Sequence, residues 1–157
     1  MNDTWTKQRL LILILVFFIT GLWDIVLRAM AEGKIAFLGI EKMKWVTVLK
    51  QYFDKHTVLS AALLAGFVGA IAYFIIISVT SYFNITNGLL ILLVVFIISG
   101  LIGFPMRYSG LFPILYQHYY KPLGLFYSFI TDAMSGVVVL LTLVCLGWIG
   151  QKINIIT

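Results

Sequence analysis

Four charged side chains lie inside or beside long apolar segments of this chain, and their types and spacing could do chemistry. Asp24 and Arg28 are four residues apart, so a helix places them on one face. Arg107 and Asp132 lie farther along the chain, near the ends of other apolar segments. Ionisable residues within a membrane usually face the protein interior and pair. We therefore expect an intramembrane cluster in which Asp24 and Asp132 pair with Arg28 and Arg107.

Two kinds of chemistry fit such a cluster. One is a proton or ion path in which a carboxylate titrates, and the other is an ion-pair clamp that fixes the register of the helices. Balanced charges near one membrane boundary favour the clamp. A conducting pore should carry polar residues along a whole span, and the available hydroxyl side chains do not line up in this way: Thr20, Ser78, Thr80, Ser99, Ser135 and Thr142.

Other catalytic or cofactor patterns are missing from the sequence. His56 and His118 fall in or beside loops, whereas a bis-histidine haem requires facing helices within the bilayer. Cys145 is the single cysteine, and no zinc-ligand cluster, phosphate-binding glycine loop or nucleophile motif is present. We predict no enzyme activity, no cofactor and no metal.

The composition is that of an integral membrane protein. Of the 157 residues, 62% are hydrophobic and 11% are charged, against about 25% charged in soluble domains. The net charge of +5 comes from dispersed residues, which indicates contact with anionic lipid rather than nucleic acid.

The elements that would position the charged cluster are four membrane spans. Between Lys55 and Arg107 the chain has no charged residue, and its polar pause at 81–88 divides this segment in two. A span requires about 20 apolar residues. The sequence therefore predicts an all-α polytopic membrane protein, a four-helix bundle forming one transmembrane domain, with spans at about 10–31, 58–80, 89–104 and 126–149.

The polar segment after the first span predicts an amphipathic helix at about residues 40–55, lying in the membrane interface. A solvated helix packed on the ends of the spans is the alternative. Aromatic residues mark the headgroup level. The interfacial set comprises Trp45 and Tyr52 in this helix, and Tyr116, Tyr119 and Tyr120 in the proline-containing loop before the last span.

Small residues at helical spacing predict close helix packing. In the second span Ala61, Ala65 and Gly69 form one ridge, and Ala62, Gly66 and Ala70 form the neighbouring one. Ser99 and Gly103 form another small pair in the third span. The partner surface is either within the chain or in a second copy.

The distribution of basic residues favours an orientation with the long loops in the cytoplasm and the termini lumenal or external. Three basic residues accompany the termini, namely Lys7, Arg9 and Lys152. Eight accompany the long loops, namely Arg28, Lys34, Lys42, Lys44, Lys50, Lys55, Arg107 and Lys121.

Four segments together resemble a known group of proteins: FLGIEKMKWVTVLKQYFDKHT, SAALLAGFVGA, GFPMRYSGLFP and YYKPLGLFYSFITDAMSG. They resemble uncharacterised small multi-pass membrane proteins of large nucleocytoplasmic DNA viruses, over most of residues 23–136. The resemblance implies a location in the internal membrane of a virion or in infected-cell membranes, and it implies no catalytic residues.

The sequence favours a structural or assembly function in the membrane, with a basic loop face that contacts lipid headgroups or partner proteins. The partners expected are the lipid bilayer, further copies of the chain, and other membrane or capsid proteins. The alternative is a small oligomeric ion or proton channel or transporter, in which Asp24 or Asp132 is the titrating group.

Overall fold

The fold was analysed in a computed structural model, which describes residues 3–34, 44–102 and 121–152 together with Pro105 and Gln117. Five helices occupy these residues: α1 (Asp3–Ala31), α2 (Lys44–Phe53), α3 (Val58–Tyr82), α4 (Gly88–Leu101) and α5 (Lys121–Lys152). The same residues contain no β-strand. The predicted all-α fold is confirmed for this part of the chain.

Local sequence signals set the helix boundaries. Beyond the end of α1, Gly33 has a φ of 73°, a left-handed conformation that glycine adopts without strain. The Thr57 hydroxyl accepts a hydrogen bond from the Ser60 backbone nitrogen over 3.2 Å and caps α3. Asn87 caps α4 in the same way by accepting from the backbone nitrogen of Leu89 over 2.9 Å.

Three of these helices contain segments that are long and apolar enough to cross a membrane: Thr6–Ala31, Val58–Tyr82 and Lys121–Ile149. Helix α4 is also apolar but has only 14 residues. At 1.5 Å per residue it is about 21 Å long, shorter than the ~30 Å hydrocarbon core. The end of the predicted third span, at 103–104, lies outside the described residues. The protein is thus membrane-embedded, with three candidate spans and one shorter apolar helix.

Helices α1 and α3 run antiparallel. The guanidinium of Arg9, early in α1, donates a 2.5 Å hydrogen bond to the hydroxyl of Ser81 at the end of α3. At the opposite end of α1, Arg28 donates from Nη1 to the carbonyl oxygen of His56 over 2.9 Å, just before α3 begins. We call this second end, where α1 ends and α3 and α5 begin, the basic end.

Many of the buried residues belong to two clusters. One, in the half of the bundle nearer the termini, joins α1, α3, α4 and α5 and consists of Val16, Ile19, Tyr73, Ile76, Val95 and Val139. The other, at the basic end, consists of Tyr52, Phe53 and Ala61. The outer surfaces of the helices carry exposed leucine, isoleucine and phenylalanine side chains, the surface that lipid covers in a membrane-embedded protein.

Small residues allow α3 to approach α1 of the same chain. A Cβ atom built at Gly66 would lie 2.7 Å from the Phe17 carbonyl oxygen, and one at Gly69 would lie 2.5 Å from the Thr20 hydroxyl. The second ridge expected from the sequence therefore has an intramolecular partner at Gly66, as does the first at Gly69. On the other side of the bundle, α4 and α5 meet at Ser99 and Gly136, where a Cβ atom on the glycine would overlap the serine side chain.

Candidate functional site

A cavity of about 600 Å³ lies within the bundle, toward the basic end. All five described helices contribute to its lining, and both intramembrane carboxylates, Asp24 and Asp132, belong to it. Ligand pockets in proteins usually occupy about 300–1,000 Å³. The two carboxylates therefore share one space, large enough for a small molecule, between α1 and α5.

Among the described residues, the direct ion pair of Arg28 is with Glu32. Arg28 Nε lies 2.8 Å from Glu32 Oε1, one helical turn farther along. Its Nη1 is bonded to the His56 carbonyl, and its guanidinium carbon lies 5.6 Å from the centre of the Phe53 ring. Arg28 thus joins the end of α1 to the connection between α2 and α3.

Asp24 is left facing the cavity. It interacts with Arg28 through charge but without a direct ion pair in the part of the chain that the structure describes. Tyr52 lines the same cavity from α2. Burial, followed by the charge of Asp24, raises the pKa of the Tyr52 hydroxyl well above its ordinary value. Asp24 and Tyr52 thus line the same cavity from α1 and from α2.

Asp132 enters the cavity from α5, next to Thr131 and one turn before Ser135 and Gly136. Its carboxylate is half-buried and has interactions within the protein. The partner expected from the sequence, Arg107, lies outside the described residues, so the pairing of these two stays a prediction.

Aromatic and hydroxyl side chains make up most of the remaining polar lining. The Trp23 ring nitrogen donates a 3.2 Å hydrogen bond to the hydroxyl of Thr142, and the Tyr73 hydroxyl donates a 2.7 Å bond to the Gly136 carbonyl. Ser99 is 3% exposed and lines the cavity. Its hydroxyl has no hydrogen-bond partner among the described residues.

The mouth of the cavity lies along one face of α5. Tyr127 and Met134 line the cavity, yet each is 51% exposed, and Ile130 between them is also exposed. Residues that are both lining and exposed mark where a cavity meets the outer surface. This opening therefore lies on the outer face of a helix that contains a candidate membrane span.

The lining defines which chemistry the site can perform. Within the described residues no lysine, arginine or histidine lines the cavity, so its charged groups are two acids. No group of three metal-binding side chains occurs in the same part of the chain. The arrangement is suited to binding a small molecule with an apolar body and a polar or positively charged group.

Two of the residues predicted to be interfacial, Trp45 and Tyr52, lie in α2, and the others lie beyond the described ranges. Tyr52 is 4% exposed, with its ring centre 4.6 Å from that of His56, and its expected position at the headgroup level stays a prediction. The other interfacial residues, Tyr116, Tyr119 and Tyr120, lie outside the described part of the chain, as does Gly103, which was predicted to pack with Ser99.

The predicted packing residues divide between the helix contacts and the cavity wall. Ala61 is buried in the cluster at the basic end, and the Ala62 carbonyl oxygen would lie 3.1 Å from a Cβ atom at Gly21 of α1. Ala65 lines the cavity, whereas Ala70 is half-buried on α3.

Sequence reasoning missed Tyr73 and the role of Tyr52. A signal for Tyr73 was present, because a tyrosine in the middle of an otherwise apolar span requires a partner for its hydroxyl. Tyr52 offered no such signal, since its position at a helix end fits an interfacial location equally well.

Comparisons of the chain with protein-family models, with curated proteins and with solved structures gave no match.

Proposed function

We propose that this protein is an integral membrane protein that binds a small molecule in the cavity between its helices, as carriers and membrane-embedded receptors do. The observation that carries the proposal is the 600 Å³ cavity that both Asp24 and Asp132 line. An intramembrane carboxylate is costly, so its presence on a cavity wall is typical of a functional site.

The redirection of Arg28 supports a binding function over the ion-pair clamp. A clamp requires the acids to be neutralised by basic side chains that hold the helices together. Arg28 instead bonds to Glu32 and His56, while Asp24 faces the cavity. This leaves the runner-up interpretation of the sequence, a transporter dependent on an acidic residue, as the better supported one.

The topology we propose has four spans, with α4 as the third and α2 as an interfacial helix. Antiparallel neighbours support this arrangement, since α4 and α5 meet at Ser99 and Gly136 as α1 and α3 meet at Gly66. The basic end carries exposed lysines at positions 34, 50, 55 and 121 and would face the cytoplasm and its anionic lipids.

The exposed lysines also favour a second candidate, a structural or assembly function in which this end contacts headgroups or partner proteins. Further copies of the chain and other membrane or capsid proteins are the partners proposed for it. The resemblance to viral membrane proteins would place the chain in a virion or infected-cell membrane, and detection of the protein in purified particles tests that location.

Thiol labelling in proteoliposomes tests the binding function. Ser135 lines the cavity, whereas Cys145 is exposed on the outer surface of α5. In a Cys145→Ser background, Ser135→Cys should react with a small cationic methanethiosulfonate reagent, because a thiol reacts as its thiolate, which requires water. The natural Cys145 is the control and should react slowly in lipid.

A cavity-filling variant connects the labelling to the cavity itself. Val68 lines the cavity from α3, and Val68→Phe should slow the labelling of Ser135→Cys at least several-fold. Equal labelling of Ser135→Cys with and without Val68→Phe, or no labelling beyond that of Cys145, would remove the basis for a binding function.

A further inference from the structure

We propose that the ligand of this cavity is an amphipathic organic cation, a protonated amine with an apolar body, whose ammonium group is held at the Asp24 side of the cavity. This inference rests on the proposed binding function and names its ligand class. The argument follows from the charge, size, lining and opening of the cavity.

The charge of the lining selects a cation. Asp24 and Asp132 are the charged side chains among the described lining residues, and Arg28 is held away from the cavity by Glu32 and His56. Aromatic rings add to this preference because their faces attract cations. Trp23, Tyr52 and Tyr127 each contribute such a ring to the wall.

The cavity volume and the number of acids select an organic cation over a metal ion. A bare metal ion requires several oxygen ligands close together. The described residues contain no group of three acidic or other metal-binding side chains, and about 600 Å³ greatly exceeds the space of one ion. Apolar side chains such as Leu27, Leu64 and Val68 form much of the wall and would surround an apolar ligand body.

The hydroxyl of Ser99 offers a hydrogen-bond partner to a ligand with N–H donors, which a quaternary ammonium lacks. This side chain is almost fully buried, lines the cavity, and has no hydrogen-bond partner among the described residues. A buried hydroxyl without a partner is destabilising. An ammonium N–H could donate to the Ser99 oxygen, which a quaternary nitrogen cannot do.

The lateral mouth fits the access of an amphipathic molecule. Tyr127 and Met134 place the opening on the outer face of α5, within a candidate span. An alkyl or aryl amine partitions into the membrane boundary with its charge near the headgroups. Such a molecule would reach the cavity from the bilayer by moving sideways past α5.

A matched ligand series in the purified full-length protein tests the inference. The probes are 4-phenylbutylamine, 4-phenylbutan-1-ol and 4-phenylbutyrate, which share one apolar body and are cationic, neutral and anionic at pH 7. Calorimetric titration, corrected with protein-free micelles, should show the amine binding at least tenfold more tightly than the alcohol, and the anion most weakly.

Variants of Asp24 then test whether its carboxylate causes the tighter binding of the amine. Asp24→Asn should weaken amine binding about tenfold while leaving alcohol binding within twofold, and Asp24→Glu should restore most of the loss. The control Asp54→Asn removes a carboxylate that is exposed on the turn after α2. It should leave all three affinities unchanged.

The outcomes separate the ligand class from the binding function. If amine and alcohol bind equally, and Val68→Phe abolishes both, the cavity is a binding site but the cationic preference is wrong. If Asp24→Asn binds the amine as tightly as the wild type does, Asp24 is not its partner and the inference fails. If no probe binds even to the wild type, the inference is rejected, and the binding function is rejected with it only if Ser135→Cys also fails to react faster than Cys145.

Discussion

The guanidinium of Arg28 donates from Nε to Glu32 Oε1 over 2.8 Å, across one turn at the end of α1. Lys34 Nζ approaches the other oxygen of the same carboxylate to 2.6 Å. Glu32 therefore receives both neighbouring cations. As a result the basic group nearest to Asp24 in sequence is engaged outside the cavity.

We expect the stability of this helix end to depend on pH through Glu32. The hydrogen bond from Lys34, followed by that from Arg28, lowers the pKa of the Glu32 carboxyl. A group with a lowered pKa stabilises the fold fully above its unfolded-state pKa of about 4.3, and the contribution is lost as the pH falls through the lower folded-state value. The melting temperature of the wild type should therefore fall in this acidic range.

Two variants test whether Glu32 causes the fall in melting temperature at acidic pH. Glu32→Gln should melt at a lower temperature than the wild type at pH 7 and should show a smaller fall between pH 5 and pH 3. Lys34→Gln should move the fall to higher pH, because the largest cause of the lowered pKa is removed. Identical melting profiles for the wild type and Glu32→Gln would contradict this assignment.

The contact between α1 and α3 should be sensitive to a single methyl group at Gly66. A Cβ atom there would lie 2.7 Å from the Phe17 carbonyl oxygen, a backbone atom that can shift only with its helix. Overpacking of this kind costs about 1–3 kcal/mol. We expect Gly66→Ala to lower the free energy of unfolding in detergent by that amount.

The matched control is Gly147→Ala, since no atom lies within 4 Å of its Cβ position on α5. Alanine favours helix over glycine by up to about 1 kcal/mol, so this variant should be neutral or slightly stabilised. Equal effects of the two substitutions would show that helix propensity, rather than close packing, governs the α1–α3 contact.

Ser99 and Gly136 should behave as a coupled pair. Gly136→Ala places a methyl group on the Ser99 side chain and should destabilise the protein by about 1–3 kcal/mol. Ser99→Gly alone loses a small buried side chain, but combined with Gly136→Ala it removes the overlap. A double-mutant cycle should give a favourable coupling of at least about 0.5 kcal/mol. Strict additivity would contradict the direct α4–α5 contact.

The helices were predictable because their signals are local. The uncharged segment after Lys55 and the polar pause before Gly88 predict two apolar helices with a turn between them, and the structure has them at Val58–Tyr82 and Gly88–Leu101. The partner of the small-residue ridge was not predictable, since spacing along one helix does not identify the facing helix. Only the three-dimensional arrangement gives Gly66 its contact with Phe17.

The two acidic residues of the candidate site could be predicted from the sequence. The pairing of Arg28 and the cavity between the helices could not. A lone carboxylate in an apolar segment is visible in sequence, and Asp24 and Asp132 do face one cavity. The ion pair of Arg28 with Glu32 has the same four-residue spacing as Asp24 and Arg28, so spacing alone does not show which of the two acids Arg28 pairs with. The cavity is the space left between the packed helices. Its size depends on how the helices pack, which the residue pattern of a single helix does not show.

Tyr73 should contribute to stability through its hydroxyl. This group is buried and donates a 2.7 Å hydrogen bond from α3 to the Gly136 carbonyl on α5. Interhelical hydrogen bonds in membrane proteins contribute about 0.6 kcal/mol on average, and up to about 1.7 kcal/mol. We expect Tyr73→Phe to destabilise the protein within this range. Tyr82→Phe, at a side chain that is 80% exposed, should have no measurable effect.

Asp24 gives the sharpest distinction between a binding site and a structural clamp. A carboxylate that faces a cavity within the bundle and lacks a direct ion pair among the described residues is kept at a cost in stability. We therefore expect Asp24→Leu to raise the free energy of unfolding by roughly 1–3 kcal/mol, since an apolar side chain removes the cost of desolvating the charge. Asp24→Asn should raise it by less.

The clamp interpretation predicts the opposite sign for the same variants. If Asp24 held α1 in register through an ion pair, its removal would leave a buried guanidinium without compensation and would lower stability by several kcal/mol. Thermal melting of Asp24→Leu, Asp24→Asn and wild type in one detergent decides between the two. A stabilised Asp24→Leu protein that no longer binds 4-phenylbutylamine would show that this residue serves ligand binding at the expense of the fold.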